Sequence, residues 1–480
     1  MATQEQVSTK PTFSRRALFQ IASAAALGSV VPDVGQSSSL FGSDKLGTTR
    51  WLRVRSVVEL KGEVRLRDEK AVMKGATKTA PVESTSTLDY EEEAIVTTAN
   101  SSGPCAYRNI LEAKTDCRIN KQPIKIALRP ECRNIVQWID NANLWLNSPD
   151  QPLTPNERDL IRGTIASAFL DEMLPKSAIR IGDSWELSTE SSCRIFQLDS
   201  VLSSTVKISL VEADEEKAQL EIEGKLEGVA SDVPTELVLR GKIQADRKKG
   251  IVTWVAMNIE EKREIGDAKP GFSVEARIRL LRAPIDSPTA NETLSSISRR
   301  YENVEMLKVL QFASNHGGFD FLAESDWSIL QENPDQMVLR LVRSNTTIAQ
   351  CNIKRLPNLE AGRQMTLEGY QEMVSRSLAE SFKQFVEGAE SITENKLRLI
   401  RTVAVGEAQG VPIQWINCML SDDLGRRVTM TFTMDQTMSD RFANADVPLV
   451  GAFQLKEVQA PASSESDPLK VGSPKVGTTR

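Results

Sequence analysis

Between residues 217 and 230 the chain alternates almost without a break. Ala218, Leu220, Ile222, Gly224, Leu226 and Gly228 fall on one side, and Gln219, Glu221, Glu223, Lys225 and Glu227 on the other. A helix would scatter these residues around its circumference, whereas a strand sends successive side chains to opposite faces. The segment is therefore committed to a sheet with one apolar and one wet face. Residues 201–212, 235–246, 251–265 and 272–283 are runs of similar character, separated by turn-like stretches such as Asp214-Glu215-Glu216 and Arg247-Lys248-Lys249-Gly250. Five strands in series predict an antiparallel meander, and Gly224 and Gly228 predict where it bends or is closely approached.

Upstream, residues 50–67 alternate in the same way and 110–128 read as further strand, whereas 68–103 are polar and irregular. The acidic run Glu91-Glu92-Glu93 in that stretch lacks the ligand spacing of a calcium loop and is expected to be a solvated loop. A helix is predicted over 155–174: Thr154 caps it, Pro155 occupies its first position and Glu157 completes a capping box. Leu160, Ile161, Thr164, Ile165, Ala168, Phe169 and Met173 then recur at helical spacing. This helix is expected to lie across the apolar face of a curved, half-barrel-like sheet domain spanning 48–284. The pattern looks like the open half-barrels of periplasmic lipoprotein carriers. Leu220, Ile222 and Leu226 of the sheet, with Ile161, Ile165 and Phe169 of the helix, are then the candidate ligand-facing residues.

Residues 285–300 are polar and read as a linker to a second domain over 301–458, and 459–480 read as a disordered tail. The second domain opens with four short strands. A helix is predicted over 367–387, capped by Thr366, with a buried stripe of Leu367, Tyr370, Val374, Leu378, Phe382 and Phe385. Three more strands, a short helix over 438–445 and a last strand over 452–457 follow. Phe319-Asp320-Phe321, Asp326-Trp327-Ser328, the run from Gly425 to Phe432 and Ala452-Phe453-Gln454-Leu455 occur in the order found in the PsbP-like family, and residues 316–458 resemble it. The resemblance implies an α/β/α sandwich used for binding or assembly rather than catalysis. The fold class expected for the whole chain is α+β.

At the N-terminus, Arg15-Arg16 is followed by Ala17-Leu18-Phe19 and a run of small and apolar residues. Residues 1–40 resemble a twin-arginine signal peptide, which implies export to the periplasm or beyond. Beyond this segment no apolar stretch reaches the eighteen residues of a membrane span.

Composition narrows the chemistry. The 480 residues include a single histidine, His316, so histidine-rich metal clusters and zinc sites of the HExxH type are excluded. A net charge of −6 offers no basic footprint for nucleic acid. His316-Gly317-Gly318 is matched by no nucleophile elbow, since Gly182-Asp183-Ser184-Trp185-Glu186 lacks the closing glycine. Ser204 and Lys207 have S-x-x-K spacing on a predicted strand, which turns them to opposite sides. The adjacent acids Asp171/Glu172, Glu260/Glu261 and Asp422/Asp423 are the candidates for a carboxylate-dependent hydrolase. Of six cysteines, none forms a CxxC pair; Cys351 and Cys418, on strands expected in one sheet, are the candidate disulfide.

These readings lead to an exported, non-enzymatic binding or assembly protein of the cell envelope, with no cofactor and no metal. Its expected partner is an envelope protein or an apolar ligand. The alternatives are a carrier of a lipid or other apolar molecule in the N-terminal sheet, then a hydrolase.

Overall fold

A computed structural model of the chain describes residues 38–39, 41, 49–67, 77–95, 102–140, 143–300, 304–314 and 316–457. Arg15, Arg16 and the expected tail lie outside the described residues. Ser38–Ser39, inside the expected signal segment, pair with Ile179–Arg180 of the folded body.

The N-terminal part is one antiparallel sheet of 13 strands that does not close on itself. At its centre the Thr49–Arg67 strand pairs with Gly271–Pro284. One arm runs outward through Thr77–Ile95, Gly103–Ile119, Asn134–Asp140 and Asn143–Asn147; the other runs through Ile251–Arg263, Val233–Asp246, Lys217–Ala230 and Lys207–Ala213 to Ser184–Glu186. The predicted meander is the second arm. Its first strand is split into Ser200–Ser204 and Lys207–Ala213, both paired with Lys217–Ala230. Gly224 permits that close approach, because a Cβ there would meet the Thr205 carbonyl oxygen at 2.5 Å.

Residues 77–95 correct the sequence reading: they form a nineteen-residue strand, not an irregular stretch. The inward positions Ala80, Val82, Ser84, Ser86, Leu88, Tyr90, Glu92 and Ala94 do alternate, but several are polar and so hide the period. The Thr115 hydroxyl lies 3.2 Å from that of Ser84 and 2.6 Å from that of Ser86, so hydroxyls at this spot satisfy one another inside the sheet.

Topology decides what fills the concave face. The two arms end at opposite edges of the sheet, so the chain between them must cross from edge to edge. It does so as a plug: the helix Pro155–Arg162, a 3-10 segment Ser167–Met173 and a second helix Thr189–Phe196. The predicted helix over 155–174 is thus cut short. Gly163, with φ 65°, ends it and turns the chain. Its predicted apolar set is nonetheless buried, with Leu160, Ile161, Ile165, Phe169 and Met173 each at most 5% exposed.

The stretch 285–300, read as a linker, is packed down. The helix Leu294–Ser298 lies on the outer face of the sheet, where Leu294 and Ile297 share a small core with Tyr107, Val136 and Trp138.

The α/β/α sandwich expected for the C-terminal part is overturned. Strand accounts for 58% and helix for 16% of the structure, so the chain is mainly β rather than α+β. The C-terminal part is a seven-stranded antiparallel sheet running from Trp327–Glu332 at one edge to Phe382–Ile392 at the other. Among the described residues, only one of its faces carries a helix longer than six residues, Leu367–Leu378, through Tyr370 and Val374 against Ile400 and Met419. A three-stranded sheet, Val309–Ser314, Phe319–Glu324 and Gln454–Leu455, carries a stack of Phe312, Phe319, Phe321 and Phe453, which shares one buried core with Trp327 and Phe432 of the larger sheet.

The predicted helix over 367–387 also ends early, at Leu378, and Phe382–Ile392 is a strand. The helical spacing of Phe382 and Phe385 is the work of a β-bulge between them. Phe382 faces Gly406 and Phe385 faces Ala404, with register shifts between 382 and 384 and between 385 and 387. One extra residue puts positions three apart on the same face of a strand, which imitates helical spacing.

A candidate binding cleft between the two sheets

The two parts are joined by specific polar contacts. Asn147 Nδ2 donates to the Leu307 and Val309 carbonyls at 3.3 and 2.5 Å, Gln311 N donates to the Leu153 carbonyl at 2.9 Å, and an Arg129 guanidinium nitrogen donates to Gln311 Oε1 at 2.8 Å. Further along, hairpin turns from both sheets meet. The Thr347 hydroxyl donates to Asp267 at 2.9 Å, and the Asn345 backbone N–H donates to the Asp232 carboxylate.

Between these contacts lies a cleft of about 480 Å³, within the range of small-molecule sites. Its N-terminal wall includes Arg158 and Arg162, one helical turn apart on Pro155–Arg162, and Trp145 from the edge strand. The turn Ser231–Asp232 and the neighbouring Asp199 supply acids. From the C-terminal sheet come the turns at Ser325–Asp326 and Ser344–Asn345. Ser231, Asp232, Ser344 and Asn345 all have φ between 52° and 64°, as the two-residue hairpin loops they occupy require.

Some of these charges are already neutralised. Arg343 Nε donates to Asp326 at 3.0 Å, and Asp267 lies 3.3 Å from Arg67. Others are not met by an opposite charge in the same way. Arg162 Nε donates to the neutral amide of Gln197 at 2.8 Å. Burial pulls its pKa below the ordinary arginine value, the like charges of Arg158 and Arg263 adding to it and the carboxylates of Asp199 and Asp159 opposing it. The Asp232 N–H donates to the Asp199 carboxylate at 2.9 Å. Burial, with the adjacent carboxylates of Asp199 and Asp326, pushes the Asp232 carboxyl above its usual range. Arg158 Nε makes no hydrogen bond but lies 3.8 Å from the Asp159 carboxylate, and Trp145 Nε1 is a buried donor with no hydrogen-bond partner.

The apolar residues singled out from sequence come together, but as core. Leu220, Ile222, Leu226, Ile161, Ile165 and Phe169 belong to one packed cluster, and each is at most 5% exposed. The voids beside Gly163 and Thr164 measure about 30 and 20 Å³. That is far below the ~300–1,000 Å³ of a ligand pocket. A groove of about 600 Å³ on the outer face, around Gly224, is crossed by the Lys225–Glu236 ion pair and belongs to one sheet alone.

Four of the six acidic candidates are tied down. Asp171 receives Arg282 at 2.6 Å and the Val252 N–H at 2.8 Å, while Glu172 pairs with Arg194 at 3.0 Å. Glu261 is buried against Arg263 at 2.6 Å, its neighbour Glu260 faces the outer groove, and Asp422 pairs with Arg426 at 2.6 Å across its own turn. His316 is exposed.

The run Glu91-Glu92-Glu93 is not a loop: all three side chains are buried on the Thr77–Ile95 strand. Glu91 accepts the Thr289 and Ala290 N–H groups at 2.9 and 3.1 Å, and Glu93 accepts the Leu294 N–H at 2.6 Å. Both pin the segment on the outer face, while Glu92 turns inward to the plug.

Cys351 and Cys418 are both buried and free. Phe432 of the Arg427–Asp435 strand lies between Cys351 and Ile416 in the pairing, so the two cysteines sit on strands separated by a third. Two inter-strand spacings amount to roughly 9.5 Å, beyond the ~7 Å limit for bridged Cα atoms. The bridge expected from sequence is not made.

Among the described residues no helix is long and apolar enough to cross a membrane. No family model matches the chain, and no curated protein matches it. Among solved structures, the chain is similar to a crystal structure from Bacteroides thetaiotaomicron at 12% identity and a TM-score of 0.23, covering 31% of this chain and 48% of that one. It is also similar to cyanobacterial PsbP from Synechocystis sp. PCC 6803, at 11% identity and a TM-score of 0.24, covering 31% and 92%. A third similar structure is the T6SS immunity protein TplEi of Pseudomonas aeruginosa, at 10% identity and a TM-score of 0.19, covering 49% and 73%. The chain therefore spans about half the length of the first of these structures. With TM-scores no higher than 0.24, these likenesses assign neither a family nor an activity.

Proposed function

We propose that the chain is an exported, non-enzymatic binding protein of the bacterial cell envelope, and that what it binds docks in the cleft between its two sheets. The observation that carries this reading is the cleft of about 480 Å³, walled by hairpin turns from both sheets and lined by charged side chains of both signs. Sites built where two rigid units meet are a common place for ligands. Export is supported by the Arg15-Arg16 pair and the apolar run after it.

Two experiments test the reading. Protein recovered from an envelope fraction is measured by native mass spectrometry beside an Asn345→Trp variant, which fills the cleft at a turn. A bound mass on the unmodified protein that the variant lacks supports the reading; the same bound mass on both contradicts it. For export, an Arg15→Lys/Arg16→Lys variant is expected to stay in the cytoplasm. Its normal appearance in the envelope would remove that part of the proposal.

A further inference from the structure

The strand Asn143–Asn147 runs along the cleft. Successive side chains of a strand point to opposite faces of its sheet. They do so here: Leu144 and Leu146 pack into the large core beside the plug, whereas Trp145 joins the outer cluster of Tyr107 and Trp138. Yet Asn143, Leu144, Trp145 and Leu146 all line the cleft. A cavity on either face would touch every second residue. This one lies against the edge of the strand, where the backbone is presented.

That edge is open. Among the described residues the strand pairs only with Asn134–Asp140, and it ends the 13-stranded sheet. The backbone of Asn143 to Leu146 makes no hydrogen bond to any other described backbone group. In an antiparallel ladder every second residue turns its N–H and C=O away from the partner strand. Half of these residues therefore direct theirs into the cleft, and such an edge is a template for another chain. The dimensions fit one strand. With strands ~4.8 Å apart, stacked sheets ~10 Å apart and a rise of ~3.3 Å per residue, about 480 Å³ holds roughly three residues of a single strand. That is room for one added strand, not for the edge of a second folded sheet with its neighbouring strand.

We propose that the cleft binds an extended peptide segment, which adds to the large sheet as a further strand beside Asn143–Leu146. This rests on the reading of the cleft as the binding site. Main-chain hydrogen bonds supply the affinity for such a strand, and the flanking side chains select among sequences.

The test is hydrogen exchange of the full chain, resolved to single amides at residues 143–146, with and without a mixed pool of N-acetylated, C-amidated pentapeptides. In the free protein exchange is expected to alternate, slow at the residues bonded to Asn134–Asp140 and fast at those between them. With the pool at about ten times its apparent Kd, the fast amides are expected to slow by roughly tenfold. A pool N-methylated at every second residue keeps one edge able to pair and is expected to bind. A pool N-methylated at every residue is expected to bind roughly tenfold or more weakly. Native mass spectrometry follows the bound peptide on the unmodified chain and on Asn345→Trp, checked for folding by circular dichroism.

Uniformly slow exchange at 143–146 in the free protein would overturn the proposal, as would equal binding of the fully methylated pool. Peptide lost from Asn345→Trp that never protects 143–146 would overturn the added strand and leave the cleft as the site. Peptide bound equally by Asn345→Trp would overturn both. Protection that rises with protein concentration and needs no peptide would put a second copy in place of the peptide. No bound peptide and no protection at millimolar pool concentration overturns the proposal outright.

Discussion

Glu92 and Arg108, on adjacent strands of the large sheet, form an ion pair of 2.7 Å with side chains 0% and 1% exposed. The pair does not stand alone. Ser167 Oγ donates to Glu92 at 2.7 Å, Arg108 donates to the Ile161 carbonyl at 3.2 Å, and the Tyr90 hydroxyl lies 2.8 Å from Ser167 Oγ. With Arg282 on Asp171, these contacts fasten the plug to the sheet from two arms. The concave face is thereby committed to the chain's own residues, and binding is left to the junction between the sheets.

Removing one member of that pair leaves the other charged and unpaired in the core. Arg108→Met is expected to cost about 3–5 kcal/mol of stability, measured by urea denaturation. The Glu92→Leu/Arg108→Met double variant is expected to recover part of that loss, since no buried charge then remains. A double variant less stable than Arg108→Met would mean that the pair itself contributes more than its desolvation costs.

Glu157 governs the acid side of the stability profile. Burial alone would raise its pKa. Hydrogen bonds from the Arg129 guanidinium and from the Thr154 and Arg129 backbone N–H groups outweigh burial and hold the carboxyl below its ordinary value of 4.5. A depressed folded-state pKa contributes stability above the unfolded value, and that stability is lost as pH falls through the depressed one. Glu157→Gln is therefore expected to be less stable than the unmodified chain by about 1.5–3 kcal/mol at neutral pH. The gap should close as the pH drops below about 4. A gap that stays constant down to pH ~2 would show that the carboxylate charge is not what matters.

Glu91 holds the segment between the sheets. Glu91→Ala frees the Thr289 and Ala290 N–H groups but leaves Leu294 on Glu93. Hydrogen exchange is expected to speed up at residues 289 and 290, with little change across 217–230. Unchanged exchange at 289 and 290 would mean that the outer-face packing holds the segment without the clasp.

Cys351 and Cys418 should be inert thiols. Burial pushes both well above the ordinary thiol range, which suppresses the reactive thiolate. Neither is expected to react with an alkylating reagent in the folded protein, and both should react after unfolding without reductant. Alkylation that needs reductant would reveal a bridge and a different strand order.

Strands whose inward positions are apolar could be read from sequence, which is why the arm built on Lys217–Ala230 was recognised. The other arm was half hidden because Ser84, Ser86 and Glu92 face inward and are satisfied there by Thr115 and Arg108. Phe382 and Phe385 imitate a helix because the one bulge between them restores their common face, a feature of pairing that local spacing does not encode. The plug's buried residues were legible, but not its break at Gly163. The cleft was not legible at all. Its charged residues are scattered from Arg158 to Arg343 and meet only because two separately formed sheets dock through their turns. The dipeptides Ser231-Asp232 and Ser344-Asn345 were the available signal, and they mark turns rather than a site.

The central claim is that the large sheet is filled by its own chain and holds no apolar ligand, so that binding occurs in the cleft. The most direct measurement is a titration of the folded protein with a fluorescent fatty acid. The expected result is no saturable binding. One-to-one saturable binding, displaced by unlabelled fatty acid, would contradict it and return Leu220, Ile222 and Leu226 to the lining of a carrier pocket.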